Sequence, residues 1–125
     1  MNQSFLISVV DDDEAVRKTL ESFLKSVGFR ISLYSRAEDF FLVLPRDAPD
    51  CLILDVCLEG MSGPDLQREL LGAGHSIPIV FITANATEAV QRRVMADGAI
   101  DFLLKPFSEE DLLAAIRKAL NHLPL

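Results

Sequence analysis

Asp11, Asp12 and Asp13 stand in a row where the apolar run Phe5 to Val10 stops. A lone Asp55 closes a second run, Cys51 to Leu54, Thr83 closes a third, Ile79 to Ile82, and Lys105-Pro106 closes a fourth, Ile100 to Leu104. If the runs are neighbouring strands, three or four carboxylates, one hydroxyl and one ammonium arrive at one rim. Carboxylates crowded together repel one another unless a cation compensates them. All-oxygen ligation with room for water suits Mg2+, which is commonly held by one or two carboxylates together with phosphate oxygens. A carboxylate in the middle of such a rim can act as a nucleophile toward phosphorus and form an acyl phosphate. Lys105 can pair with a phosphoryl oxygen, and the Thr83 hydroxyl can donate to one and so sense its presence.

Each residue also has a plainer role. Asp13 and Glu14 suit the cap and first turn of a following helix. A lone Asp after a strand is often a turn residue, Thr83 can be structural, and Lys105-Pro106 can be an exposed turn. Arrival at four strand ends together favours the metal-assisted phosphoryl site.

The elements that must position these groups are legible from periodicity. Phe5 to Val10, Phe29 to Tyr34, Cys51 to Leu54, Ile79 to Ile82 and Ile100 to Leu104 are short apolar runs, the pattern of strands buried on both faces. Between them the spacing turns helical. Val16, Leu20, Phe23, Leu24 and Val27 lie on one stripe with Gly28 as the stop, and Leu66, Leu70 and Leu71 on another. A helix is expected from about Thr87 to Asp97, closed by Gly98. Ser35 with Glu38 predicts a capping box for a helix carrying Phe40, Phe41 and Leu44, with Pro45 and Pro49 bracketing the loop after it. Ser62 is expected to cap the third helix, and Ser108 with Asp111 the last, which carries Leu112, Leu113, Ile116 and Leu120. Five strands alternating with five helices imply an α/β fold, a parallel sheet covered on both faces and linked by right-handed crossovers. In such sheets ligands bind beyond the carboxyl ends of the strands.

Composition bounds the function. The chain has 125 residues, 12 Lys+Arg against 19 Asp+Glu, a net charge of -7 and 50% hydrophobic residues. That is one domain with ample core material. The negative charge argues against direct nucleic-acid or anionic-membrane binding, which needs a cationic surface. No apolar run approaches the ~18 residues that would span a bilayer, and no cationic segment precedes the run Phe5 to Val10, which therefore does not read as a secretory signal, so a cytoplasmic location is expected. Cys51 and Cys57, roughly 20 Å apart in extended chain, do not form a disulfide. His75 and His122 lack metal-ligand spacing and read as surface groups. Phe40, Phe41 and Phe81 read as core, Met61 as packing under a loop, and Cys57 as a small loop residue.

End to end, the chain resembles the receiver domain of two-component response regulators. The matching features are Val10-Asp11-Asp12, Leu54-Asp55, Met61-Ser62-Gly63, Ile82-Thr83-Ala84 and Lys105-Pro106-Phe107, in order and at matching spacing. The stretch Ala99 to Phe107 looks especially like the FixJ-type branch, in which a receiver precedes a helix-turn-helix output domain for transcription regulation. The resemblance implies a doubly wound, flavodoxin-like (CheY-like) (βα)5 fold with strand order 2-1-3-4-5. It implies that Asp55 accepts a phosphoryl group from a phosphohistidine on a sensor histidine kinase. Asp11, Asp12, Asp55 and the backbone carbonyl of Cys57 would hold Mg2+, Lys105 would contact the phosphoryl group, and Lys105-Pro106 would be cis. Thr83 and Phe102 would form the switch, read out on the surface of the fourth helix, fifth strand and fifth helix, including Val90, Val94, Ile100 and Phe102. Such a protein is not a turnover enzyme: it catalyses only its own phosphorylation and dephosphorylation. Its partners would be the kinase, an output domain or effector protein, and a second copy on phosphorylation.

Two departures stand out. Glu59 occupies the position where the family usually has a proline, so Leu58-Glu59-Gly60 is expected to be more mobile and more acidic near the metal. Cys57 and Asn85 flank the line of a hydrolytic water, where the family tunes phosphoryl lifetime. The rival readings are a degenerate receiver that binds a partner without phosphorylation, and a haloacid-dehalogenase-like phosphatase using Asp11 and Asp13. The five βα units fill residues 1–125, with about 121–125 as a tail or the start of a linker. No output domain fits, so the chain is expected either to act through a separate partner or to be cut from a longer regulator there.

Overall fold

The computed structural model describes residues 4–85 and 87–121. His122 and the expected tail at about 121–125, apart from Asn121, lie outside them. The elements run β1 (Leu6–Val10), α1 (Glu14–Ser26), β2 (Arg30–Tyr34), α2 (Ala37–Leu42), β3 (Cys51–Asp55), α3 (Gly63–Gly72), β4 (Ile79–Thr83), α4 (Glu88–Ala96), β5 (Asp101–Leu104) and α5 (Glu109–Asn121). The strands form one sheet in the order β2-β1-β3-β4-β5, and every pairing is parallel. The doubly wound α/β fold is therefore as expected, each boundary falling within two residues of the apolar runs.

Side chains alternate across the sheet, as the strand period requires. Ile7, Val9, Cys51, Ile53, Val80 and Ile82 face one side, where Leu20 and Leu24 of α1 and Leu112 and Ile116 of α5 cover them. Val10, Leu52, Leu54, Ile79 and Phe81 face the other, under Phe40 of α2, Leu66 and Leu70 of α3, and Val94 of α4. Burying each large side chain of this set contributes about 1.5–3 kcal/mol. These two cores hold the strand ends rigid. Ser8, buried in the middle of β1, is paired: its hydroxyl meets that of Ser32 at 2.7 Å across the β1–β2 ladder.

The helix starts follow local chemistry. Asp13 caps α1 by accepting the Ala15 N–H at 2.9 Å. Ser62 and Asp65 form a capping box on α3, and Ser108 accepts the Asp111 N–H at 3.0 Å. The box expected from Ser35 and Glu38 does not form. The N-cap of α2 is Arg36, without a side-chain cap bond, which puts Glu38 one position too early to close a box. Its carboxylate turns instead toward the loop after β3. Leu44 lies beyond α2, and its bond to Pro45 is cis, as is Lys105–Pro106. His75 is not a free surface group: it is half-buried, edge-on to Phe41 with ring centroids 6.2 Å apart.

Candidate phosphoryl site at the strand ends

The register of the sheet decides which residues meet. Val10 pairs with Leu54, so Asp11 emerges beside Asp55. Asp55 pairs with Ile82 and Thr83 with Leu104, so Thr83 and then Lys105 leave one step farther along the same edge. Backbone bonds carry the ladder past the strand ends: Asp11 N–H donates to Tyr34 O at 3.1 Å, Val56 N–H to Ile82 O at 3.0 Å and Lys105 N–H to Thr83 O at 2.8 Å. Gly63 completes the frame. A Cβ there would collide with the backbone carbonyl of Asp55, so only glycine lets α3 begin this close to the site.

Asp11 is fully buried and Asp55 nearly so, whereas Asp12 is exposed. One carboxylate oxygen from each lies within 4.8 Å of the others. That is a hard, all-oxygen donor set, half enclosed and open to solvent on the Asp12 side, and it fits a small divalent cation such as Mg2+. Lys105 Nζ sits 2.7 Å from Asp11 Oδ2 and 3.6 Å from Asp55 Oδ2. Asp11 Oδ1 accepts the Asp13 N–H at 2.9 Å, and the Asp11 carbonyl accepts from Arg17 Nη1 at 2.7 Å.

The electrostatics separate the roles. Burial, then the Asp11 charge, pushes Asp55 from 3.8 up to about 6; Asp12 pushes it the same way, against Lys105 and the Cys57 N–H, which donates to Asp55 Oδ1 at 3.4 Å. Burial alone would lower Lys105, but its hydrogen bond to Asp11 and the charges of Asp55 and Asp11 outweigh it and hold the ammonium above its usual value. Lys105 is thus charged, and Asp55 holds its proton more tightly than an ordinary carboxylate despite the ammonium beside it.

Thr83 is buried, and its hydroxyl is bound to Asn85, donating to the carbonyl at 3.1 Å and accepting the N–H at 3.2 Å. Phe102 is half-buried against the α2–α3–α4 core. Asp13 does not join the pocket, because its carboxylate serves the first turn of α1, which removes the acid–base partner that a dehalogenase-like phosphatase would need. Cys57 is exposed and free, and Cys51 is buried, its thiol pushed up to about 12 by burial and then by the Asp50 charge. Glu59 is exposed and meets Arg36 Nη2 at 3.6 Å.

The expected readout surface needs one correction. Val94 is fully buried, because its place on α4 points it at the sheet, while Val90, Ile100 and Phe102 are half-buried. Large apolar residues exposed there include Met95 and Leu104, which the sequence reading passed over. Beside the Lys105 stem lies an apolar recess of about 410 Å³, walled by Val16, Leu20, Pro106 and Phe107.

A doubly wound five-strand sheet with an acidic cluster, a hydroxyl and a lysine at its carboxyl rim defines a receiver domain of two-component signalling. Residues 7–117 match the response regulator receiver domain, and the chain belongs to that family. It is 45% identical over 98% of its length to the response regulator protein TmoT of Ectopseudomonas mendocina, covering 56% of that protein. It is 42% identical to the response regulator protein TodT of Pseudomonas putida, covering 54%. The chain thus spans about half the length of the curated relatives it matches. Among solved structures, FixJ-N superposes with a TM-score of 0.90 at 33% identity, covering 97% of both chains. The response regulator StyR gives 0.87 at 42% identity, over 93% of this chain and 59% of that one. Among the described residues no helix is long and apolar enough to cross a membrane.

Proposed function

We propose that this chain is the phosphoacceptor of a two-component phosphorelay and that Asp55 takes the phosphoryl group. The observation that carries this is the position of Asp55: nearly buried, within 4.8 Å of the Asp11 and Asp12 carboxylates and 3.6 Å from Lys105 Nζ. Asp11, Asp12, Asp55 and the Cys57 carbonyl would hold Mg2+. When bound, Mg2+ supplies the positive charge that offsets the carboxylates and the phosphoryl oxygens. An Asp55 oxygen attacks the phosphorus of a phosphohistidine on a sensor histidine kinase. A P–O bond forms, the P–N bond breaks with its electron pair going to the imidazole, and an acyl phosphate remains on Asp55. Lys105 holds a phosphoryl oxygen, and water later hydrolyses the acyl phosphate, so the chain catalyses only its own modification. Residues 1–125 act as one receiver module in the cytoplasm. Its partners are the kinase, an output domain or effector, and a phosphorylation-dependent second copy.

The response runs through Thr83. Its hydroxyl exchanges the Asn85 carbonyl for a phosphoryl oxygen, and Phe102 turns inward behind it, altering the α4–β5–α5 surface that carries Met95 and Leu104. Beryllium fluoride with Mg2+, as a stable phosphoryl mimic, tests this. The wild type is expected to bind it and change amide exchange across α4 and β5. Thr83→Ala is expected to bind the mimic but to show less than about a third of that change. An equal response in the two proteins would remove Thr83 from the switch, and no binding by the wild type would refute the phosphoacceptor reading.

A further inference from the structure

Residues 56–62, the loop from Asp55 to α3, are fixed at their ends by backbone bonds: Val56 N–H donates to Ile82 O, and Gly63 N–H to Val56 O, both at 3.0 Å. The middle of the loop is held from the start of α2. Glu38 Oε2 accepts the Met61 N–H at 3.4 Å. The same oxygen occupies the space beside Gly60, where a Cβ would stand 2.5 Å from it, and Gly60 has a φ of +75°. Arg36, two residues before Glu38, meets Glu59 at 3.6 Å. The other oxygen of Glu38, Oε1, is buried and has no hydrogen-bond partner among the described residues.

A buried, unpaired carboxylate oxygen costs stability. Oε2 is used on the loop, but the fold gives Oε1 no partner among the described residues, and residues that break a local rule mark functional positions more often than others. The loop that Glu38 grips carries Cys57, whose N–H already meets Asp55. We infer that Glu38 is a positioning residue for the acidic site: by gripping Gly60 and Met61 it fixes the segment from Cys57 onward, and so the shape of the pocket between Asp11, Asp12 and Asp55. This rests on the reading of that pocket as a Mg2+ site.

The test combines two NMR measurements on the whole chain: Met61 amide exchange in EDTA, and a titration with MgCl2. Glu38→Ala is expected to speed Met61 exchange about tenfold, as a tethered loop becomes free to open locally. It is also expected to raise the Mg2+ half-saturation about tenfold, the low end for outer partners of a metal site. Glu38→Gln keeps an acceptor oxygen and is expected to return both values to within about threefold of wild type. Unchanged Met61 exchange in Glu38→Ala, or faster exchange with unchanged Mg2+ half-saturation, would overturn the inference. So would a Glu38→Gln as impaired as Glu38→Ala. A wild type that takes up no Mg2+ would overturn the proposed function and the Glu38 role together, whereas failure confined to the variants overturns Glu38 alone.

Discussion

Lys105→Met is expected to lower the unfolding free energy in EDTA by about 3 kcal/mol, the scale for leaving a buried charge without its partner. Met keeps the apolar stem that lines the recess beside Val16 and Phe107, so the loss is confined to the ammonium. That ammonium lies 2.7 Å from Asp11, whose side chain is 0% exposed, and 3.6 Å from Asp55, which is 7% exposed. Without it, two close carboxylates face each other in a low-dielectric pocket. MgCl2 is expected to restore part of the stability, because a cation in the cluster offsets the same repulsion. Urea unfolding with and without Mg2+ measures both effects. A loss below about 0.5 kcal/mol would mean that the pair is screened like a surface ion pair. The variant is also expected to take phosphoryl groups from acetyl phosphate about a hundredfold more slowly, having lost the charge aimed at the phosphoryl oxygen. An unaltered rate would exclude Lys105 from the chemistry.

Asp55→Asn acts in the opposite direction. The folded-state value of Asp55, about 6, lies above its ordinary 3.8, so the folded chain holds this proton more tightly than the unfolded one. Stability therefore falls as pH rises between those values and stays reduced above them. Below about pH 4 the carboxyl is protonated in both states and the penalty is absent. Asn is neutral throughout and keeps an oxygen for the Cys57 N–H. In EDTA at pH 7 the variant is expected to be more stable than wild type by about 1–3 kcal/mol, with the gap closing toward pH 4. MgCl2 should narrow the gap at pH 7 by stabilising the wild type. An Asp55→Asn less stable than wild type at pH 7 in EDTA would contradict the electrostatic account of the pocket.

The rim was legible because each of its residues ends an apolar run. Asp11, Asp55, Thr83 and Lys105 are punctuation in a βα pattern, and parallel pairing leaves one edge for them to share. Caps drawn from adjacent residues, at Asp13, Ser62 and Ser108, were legible for the same local reason. Contacts between segments far apart in sequence were not. Ser35 and Glu38 have the spacing of a capping box, yet the helix starts one residue later and Glu38 reaches Met61, 23 positions on. Val94 fits an apolar surface stripe, and only the packing of α4 on the sheet shows it to be core. The half-burial of His75 depends on Phe41, from a separate helix. The hydrogen bond of Thr83 to Asn85 lies within one turn, but its meaning depends on what lies across the rim.

The most direct measurement is the intact mass of the chain after exposure to acetyl phosphate, with Mg2+ and with EDTA. One alkali-labile phosphoryl group is expected on the wild type with Mg2+, none in EDTA, and none on Asp55→Asn under either condition. A wild type that gains no phosphoryl group under any condition, or an Asp55→Asn that gains one as readily as wild type, would contradict Asp55 as the phosphoacceptor.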